Sequence, residues 1–243
     1  MRRIDPNPEL LNMVGLLGLR NGEMLLDAQT EPDLLLRFAH DRTGTYGRAI
    51  GMCFGQDTVN EVEDQIDRWD TEGIEMMIGH PSNQIALPDS RCSGVILRHT
   101  QRLLKLDSVF TNLTRVAKPN GKVLVRHTQW DVHLPKATER EEEMIASLTS
   151  HGCSDGKEFF ARFEALDYGR VWREVRYDVY TVASRDARAA SRHDYDWRTL
   201  MRDQLGKART FSPREMLDLI ERLQDTRGAR VTVDRYLALG LKR

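Results

Sequence analysis

Cysteine is scarce in this chain: only Cys53, Cys92 and Cys153 occur among 243 residues. An odd, widely spaced set excludes a disulfide framework and a zinc cluster, and predicts reduced thiols in a cytoplasm. Long apolar runs are also missing. Nothing approaches the roughly 20 residues of a membrane span, and the opening MRRIDPNPELL holds no apolar run of signal-peptide length. There is no excess of positive charge either. The formal net charge is −1 and the arginines are scattered, which argues against a nucleic-acid partner. Aromatic residues are 7% of the chain. What remains is an ordinary globular balance, 40% hydrophobic and 30% charged, long enough for one well-developed core.

Short apolar runs alternate with amphipathic stretches through the first half. EMLLDA (23–28), GRAIGMCFG (47–55), IEMMIG (74–79), SGVILR (93–98) and KVLVRH (122–127) read as strands. Between and before them, 8–19, 33–40, 57–70 and 100–117 read as helices, the last ended by KPNG. Such alternation implies parallel strands with right-handed crossovers, a doubly wound α/β sheet. The second half differs. Helices are expected over 138–152, 155–166 and 212–225, with long period-two strands over 170–184 and 229–243. Those two strands form an antiparallel C-terminal pair on a mostly parallel, seven-stranded sheet.

One absence is local. The stretch LLDAQTEPDLLLRF (25–38) has the rhythm of a strand turning into a helix, yet its turn contains no glycine. The surrounding segments give this meaning. SGVILRHTQRLLKLDSVFTNLTRVAKPNGKVLV (93–125), IEMMIGHPSNQIALPDSRCSGVIL (74–97), GLRNGEMLLDA (18–28) and the closing YLALGLKR together resemble class I S-adenosylmethionine (SAM) dependent methyltransferases. The similarity is to the branch holding the ubiquinone and menaquinone biosynthesis enzymes. It spans most of the chain in order and spacing. It implies one domain over 1–243, with 1–22 as an N-terminal helical lid, 23–128 as the cofactor-type half and 129–243 as the substrate-side half.

The resemblance also implies where a cofactor would sit, and there the residues depart from the family. Asp27 keeps the acid of the D-x-G-x-G-x-G motif, but its glycine positions carry Gln29, Glu31 and Asp33. Glycines there let the backbone approach the methionine part of SAM with no Cβ in the way. The ribose-binding acid after the second strand is Cys53, a poor acceptor. The acid that meets the adenine amino group is His80, and the SFD before the fourth strand is RCS (91–93). A lost charged hydrogen bond costs about 1.5–3 kcal/mol, and Glu31 near a carboxylate adds repulsion of up to about 4 kcal/mol. At 1.4 kcal/mol per decade, partial additivity already removes roughly three orders of magnitude of affinity. The expectation is an overwritten site: no cofactor, or SAM only if the family chemistry persists. No metal is expected.

Candidate chemistry lies at the carboxyl ends of the later strands, where doubly wound sheets bind ligands. RHTQWDVHLP (126–135) is expected as a pocket-facing loop. It offers His127 or His133 as a general base and Trp130 as a stacking wall; the opposing reading is a solvated surface loop. A metal on His127, Asp131 and His133 fits by count only. His99 after the fourth strand is a further candidate base, and the aromatics of FFARFEAL (159–166), Tyr168 and Trp172 could wall a cavity or simply form core. Cys53 as a nucleophile lacks a nearby histidine, so a buried small residue is the better reading. EREEE (139–143) reads as a solvated helix face. The leading functional expectation is an enzyme of specialised-metabolite biosynthesis that acts on a small organic molecule by cyclase- or isomerase-type acid–base chemistry. The rivals are a working SAM methyltransferase with an atypical cofactor site, and a non-catalytic partner of another biosynthetic protein. A small-molecule substrate is the expected partner, with a homodimer or a partner enzyme also open.

Overall fold

The computed structural model describes residues 8–69, 71–98, 100, 103, 105–148, 155–166, 168–181, 201–202, 205–206 and 210–243. In chain order the elements are α1 (Pro8–Leu17), β1 (Met24–Asp27), α2 (Leu35–Thr43), β2 (Arg48–Cys53), α3 (Gln56–Trp69), β3 (Ile74–Ile78) and β4 (Cys92–Leu97). Then follow α4 (Leu106–Val116), β5 (Ala117–His133), α5 (Glu139–Leu148), α6 (Gly156–Glu164), β6 (Tyr168–Thr181), α7 (Pro213–Asp225) and β7 (Arg230–Lys242). The seven strands form one sheet in the order β3-β2-β1-β4-β5-β7-β6. β1 to β5 pair in parallel, and β7 runs antiparallel between β5 and β6.

Each central strand is apolar on both faces, because helices cover both. Leu26, Val95, Val123 and Val125 pack on one side with α4 and α6, through Phe110, Leu113, Phe159 and Phe163. Their neighbours Leu25, Ile96 and Leu124 pack on the other side with Met13 and Leu17 of α1 and Leu36 and Ala39 of α2. α4 shows how the sequence enforces this. Leu106, Val109, Phe110, Leu113 and Val116 recur on one helical face, and all are buried. Burial of such side chains contributes about 1.5–3 kcal/mol each, while Asp107 and Thr111 face outward. α7 starts at a capping box, Ser212 with Glu215.

Two expectations need correction. The segment 126–135 is not a loop. β5 continues to His133, paired residue for residue with β7 from Lys122 opposite Leu241 to His133 opposite Arg230. The alternation of RHTQWDVH is a strand pattern, and the length of β7 gives every one of these residues a partner. Likewise EREEE is not wholly solvated. Glu141 is buried, and accepts hydrogen bonds from the Thr138 backbone at 2.7 Å and from Arg222 at 2.7 Å.

A third cluster lies beyond the sheet's centre, where α5 and α7 pack on the far halves of β5 and β7. Trp130, Met144, Leu148, Leu219, Leu223, Val231 and Val233 meet there.

Candidate functional site

The loop after β1 is held by backbone and side-chain bonds rather than by glycines. The Thr30 amide donates to the Met52 carbonyl at 2.8 Å, and the Ala28 amide to the Ile96 carbonyl at 2.8 Å. The Thr30 hydroxyl donates to the Asp27 carbonyl at 3.2 Å, and the Gln29 amide to the Asp27 carboxylate at 3.3 Å. Asp33 accepts from the Leu35 amide at 2.9 Å and so opens α2. Asn, Asp, Ser and Thr stabilise such turns through their own side chains.

Into this loop reaches Arg98, the residue after β4. Its side chain is fully buried, as is that of Asp27. Arg98 Nη2 donates to Asp27 Oδ2 at 2.9 Å and to the Gln29 carbonyl at 3.3 Å. Arg98 Nη1 donates to Asp33 Oδ2. Burial works against the Arg98 charge, but Asp27 and Asp33 together hold its pKa above the ordinary value. Burial pushes the Asp27 carboxyl upward, with the guanidinium opposing. A buried charge is tolerable only when paired and hydrogen-bonded, and one guanidinium serves two carboxylates here. One donor, Arg98 Nε, and one acceptor, Gln29 Oε1, have no hydrogen-bond partner among the described residues.

The other family positions also have settled roles. Cys53 is buried, with Sγ 3.6 Å from the Thr30 carbonyl. Burial, and then the Asp27 charge, push its thiol up to about 11, so it is a neutral packed residue at physiological pH. His80 is half-buried against Phe54, ring centroids 4.6 Å apart, and its Nδ1 accepts from the Ser82 amide at 3.1 Å. Burial lowers its pKa. None of these groups supplies the acceptors that the resemblance assigns to a nucleoside's ribose and adenine. A guanidinium stands beside Asp27, in the loop assigned to the methionine end. These side chains differ in kind from those the resemblance implies at the same positions.

Of the proposed bases, His127 is brought into an organised setting. It is fully buried on β5 opposite Tyr236. Its Nδ1 lies 2.6 Å from the Thr100 hydroxyl, its ring stacks on Phe159 at 5.2 Å, and Nε2 has no hydrogen-bond partner among the described residues. Burial pushes its pKa down to about 4, with Asp155 and Glu158 pulling upward, so the imidazole is neutral at pH 7. Trp130, three residues along the strand, faces the opposite side and packs among α5 and α7 residues. His133 and Asp131 are exposed. The structure therefore does not bring His127, Trp130 and His133 together. His99 lies outside the described residues. Phe159, Phe160, Phe163 and Tyr168 are core, and Phe160 and Tyr236 meet edge to face at 5.9 Å. Gly156 starts α6 directly against Tyr236, where a Cβ would come within 1.9 Å of the ring. No group of three or more potential metal ligands occurs among the described residues.

Sequence reasoning places Arg98, with His99, at the end of the fourth strand facing the expected pocket, but assigns it no role. The signal was present: three acids in 27–33 with no basic residue among them, and an arginine at the end of the neighbouring strand.

No protein-family model matches the chain, and no curated protein matches it in sequence. Solved structures do match. YcgJ of Bacillus subtilis superposes with a TM-score of 0.65 at 14% identity, over 97% of this chain and 99% of that one. The phosphoethanolamine N-methyltransferase 2 of Haemonchus contortus was solved with phosphomonomethylethanolamine and S-adenosylhomocysteine. It gives 0.65 at 12% identity, over 97% of this chain and 53% of that one. A geranyl diphosphate methyltransferase in complex with SAM gives 0.59 at 10% identity, over 98% and 85%. The fold is that of class I SAM-dependent methyltransferases. No helix among the described residues is long and apolar enough to cross a membrane.

Proposed function

We propose that this methyltransferase-fold protein acts on a small organic molecule in specialised-metabolite biosynthesis, by proton transfer rather than by methyl transfer from SAM. The observation that carries this reading is the Asp27–Arg98–Asp33 cluster. It fills the loop after β1 with the protein's own charges, and both Asp27 and Arg98 are sealed from water. A SAM ammonium group placed there meets a guanidinium, and its carboxylate meets Glu31 and Asp33.

The acid–base group in this reading is His127. Thr100 fixes the ring through Nδ1, and Phe159 fixes its plane. With the hydroxyl accepting from Nδ1–H, Nε2 is left as the base; with the hydroxyl donating, Nε2–H is the donor. Phe159 and Tyr236 lie against the ring. A desolvated, pre-oriented base of this kind contributes typically 10²–10⁴-fold to proton transfer.

Isothermal titration with SAM and with S-adenosylhomocysteine tests the reading. The expected result is no saturable binding; a micromolar dissociation constant for either overturns it. In pathway reconstitution, His127→Phe should abolish product while the circular-dichroism spectrum stays unchanged. Full product yield from that variant, with the pathway lost on deletion of the whole protein, would favour a non-catalytic partner.

A second reading, SAM-dependent methyl transfer with an atypical cofactor site, draws support from the retained Asp27 and from fold neighbours solved with SAM or its product. Gln29→Gly, Glu31→Gly and Cys53→Asp together discriminate. Gain of SAM affinity in a folded triple variant, from none in the parent, marks an overwritten site. Equal affinity in both marks a working one.

A further inference from the structure

The opposite end of the sheet carries a second feature. β1, β2, β4 and β5 all start there, because parallel strands bring their amino ends to one side. Between these ends lies a cavity of about 250 Å³, lined by Glu23, Tyr46, Arg48, Arg91, Ser93 and Lys118 among others. Three cations face it against one carboxylate.

That carboxylate is already engaged. Glu23 accepts from Lys118 Nζ at 2.8 Å and from the Arg20 amide at 2.9 Å. Arg48 pairs outside the cavity with Glu75 at 2.9 Å. Arg91 is exposed, and among the described residues its guanidinium has no carboxylate partner, although its backbone N–H donates a hydrogen bond to the Val116 carbonyl at 2.8 Å. Lys118 and Arg48 are thus paired within the protein, and Arg91 is the cation left facing the cavity without a carboxylate among the described residues. Ser93 lies almost wholly buried at the floor. Tyr46 stands at the rim with 84% of its surface exposed.

We propose that this cavity binds a small molecule carrying a phosphate or diphosphate group. A guanidinium offers two parallel donors to phosphate oxygens, and a lysine adds a point charge. An exposed tyrosine face suits a flat ring attached to that phosphate. The cavity's size matches a phosphate group with part of its carrier rather than a polymer. The site is independent of the chemistry at the carboxyl end, so its test stands whether or not SAM binds.

The test is thermal shift and calorimetric titration of the full chain with pyrophosphate and with adenosine diphosphate. Both should bind saturably, and adenosine diphosphate more tightly. Arg91→Glu should weaken both by about tenfold or more, with Arg91→Gln as a milder version that keeps the residue polar. Tyr46→Ala should erase only the advantage of the adenosine compound. Arg230→Glu, remote on β7, should change nothing. Absence of saturable binding by the parent at millimolar concentration overturns the proposal. So does binding that Arg91→Glu and Arg91→Gln leave untouched.

Discussion

The two ends of the parallel sheet handle charge in opposite ways. At the carboxyl ends of β1 and β4, Arg98 is sealed between Asp27 and Asp33. At the amino ends, Arg48, Arg91 and Lys118 surround an open cavity with Glu23 as the one acid. A buried charge must be neutralised by the protein itself, because no water is there to do it. An exposed charge can stay uncompensated and wait for a ligand. The difference separates a sealed cluster from an open cavity where Lys118 and Arg48 are paired with Glu23 and Glu75 and Arg91 alone keeps no carboxylate partner among the described residues.

The largest expected effect tests the sealed end. Arg98→Ala leaves the fully buried Asp27 carboxylate unpaired and should cost about 3–5 kcal/mol in urea unfolding. A loss below about 1 kcal/mol would mean that the cluster is solvated, and the contrast between the ends would collapse.

Next comes pH. His127 titrates near 6.5 when unfolded and at about 4 when folded. Between these values the unfolded chain binds more protons, so stability falls as pH drops from about 6.5 to about 4 and levels off below. The full contribution is on the order of 3 kcal/mol. His127→Phe should flatten that part of the pH–stability curve. An unchanged slope would show that His127 is open to water.

Asp33 is about a quarter exposed, whereas Asp27 is fully buried. Asp33→Asn should therefore cost less than Asp27→Asn, about 1–2 kcal/mol against the upper end of the buried-pair range. Equal losses would mean that Arg98 draws its compensation evenly.

The smallest effect belongs to the open end. Arg91→Ala should change stability by no more than about 0.5 kcal/mol, measured by the same unfolding curves. A larger loss would make the amino-end charges structural, and the two ends alike.

Several particular residues show what local pattern can and cannot reveal. The 3- and 4-residue spacing of Leu106, Val109, Phe110 and Leu113 shows α4 directly, since a helix must bury one face. The missing glycines at Gln29, Glu31 and Asp33 were equally plain, because they are single positions in a short motif. By contrast, the polar letters of RHTQWDVH read as a loop, and it is the pairing with β7 that makes them a strand. Trp130 looked like a partner of His127 because it is close in sequence, but three steps along a strand reverse the face.

The sequence by itself determined the alternation of strands and helices, the parallel half with its antiparallel ending, and the glycine-free turn. These depend on period and on neighbours a few residues apart. Only the tertiary structure decided which charges meet. Arg98 lies 71 positions from Asp27 and 65 from Asp33, and the cavity at the amino ends draws on residues from Gly22 to Lys118. The parallel register places those side chains together, and desolvation then determines which of them must be paired and which can stay open.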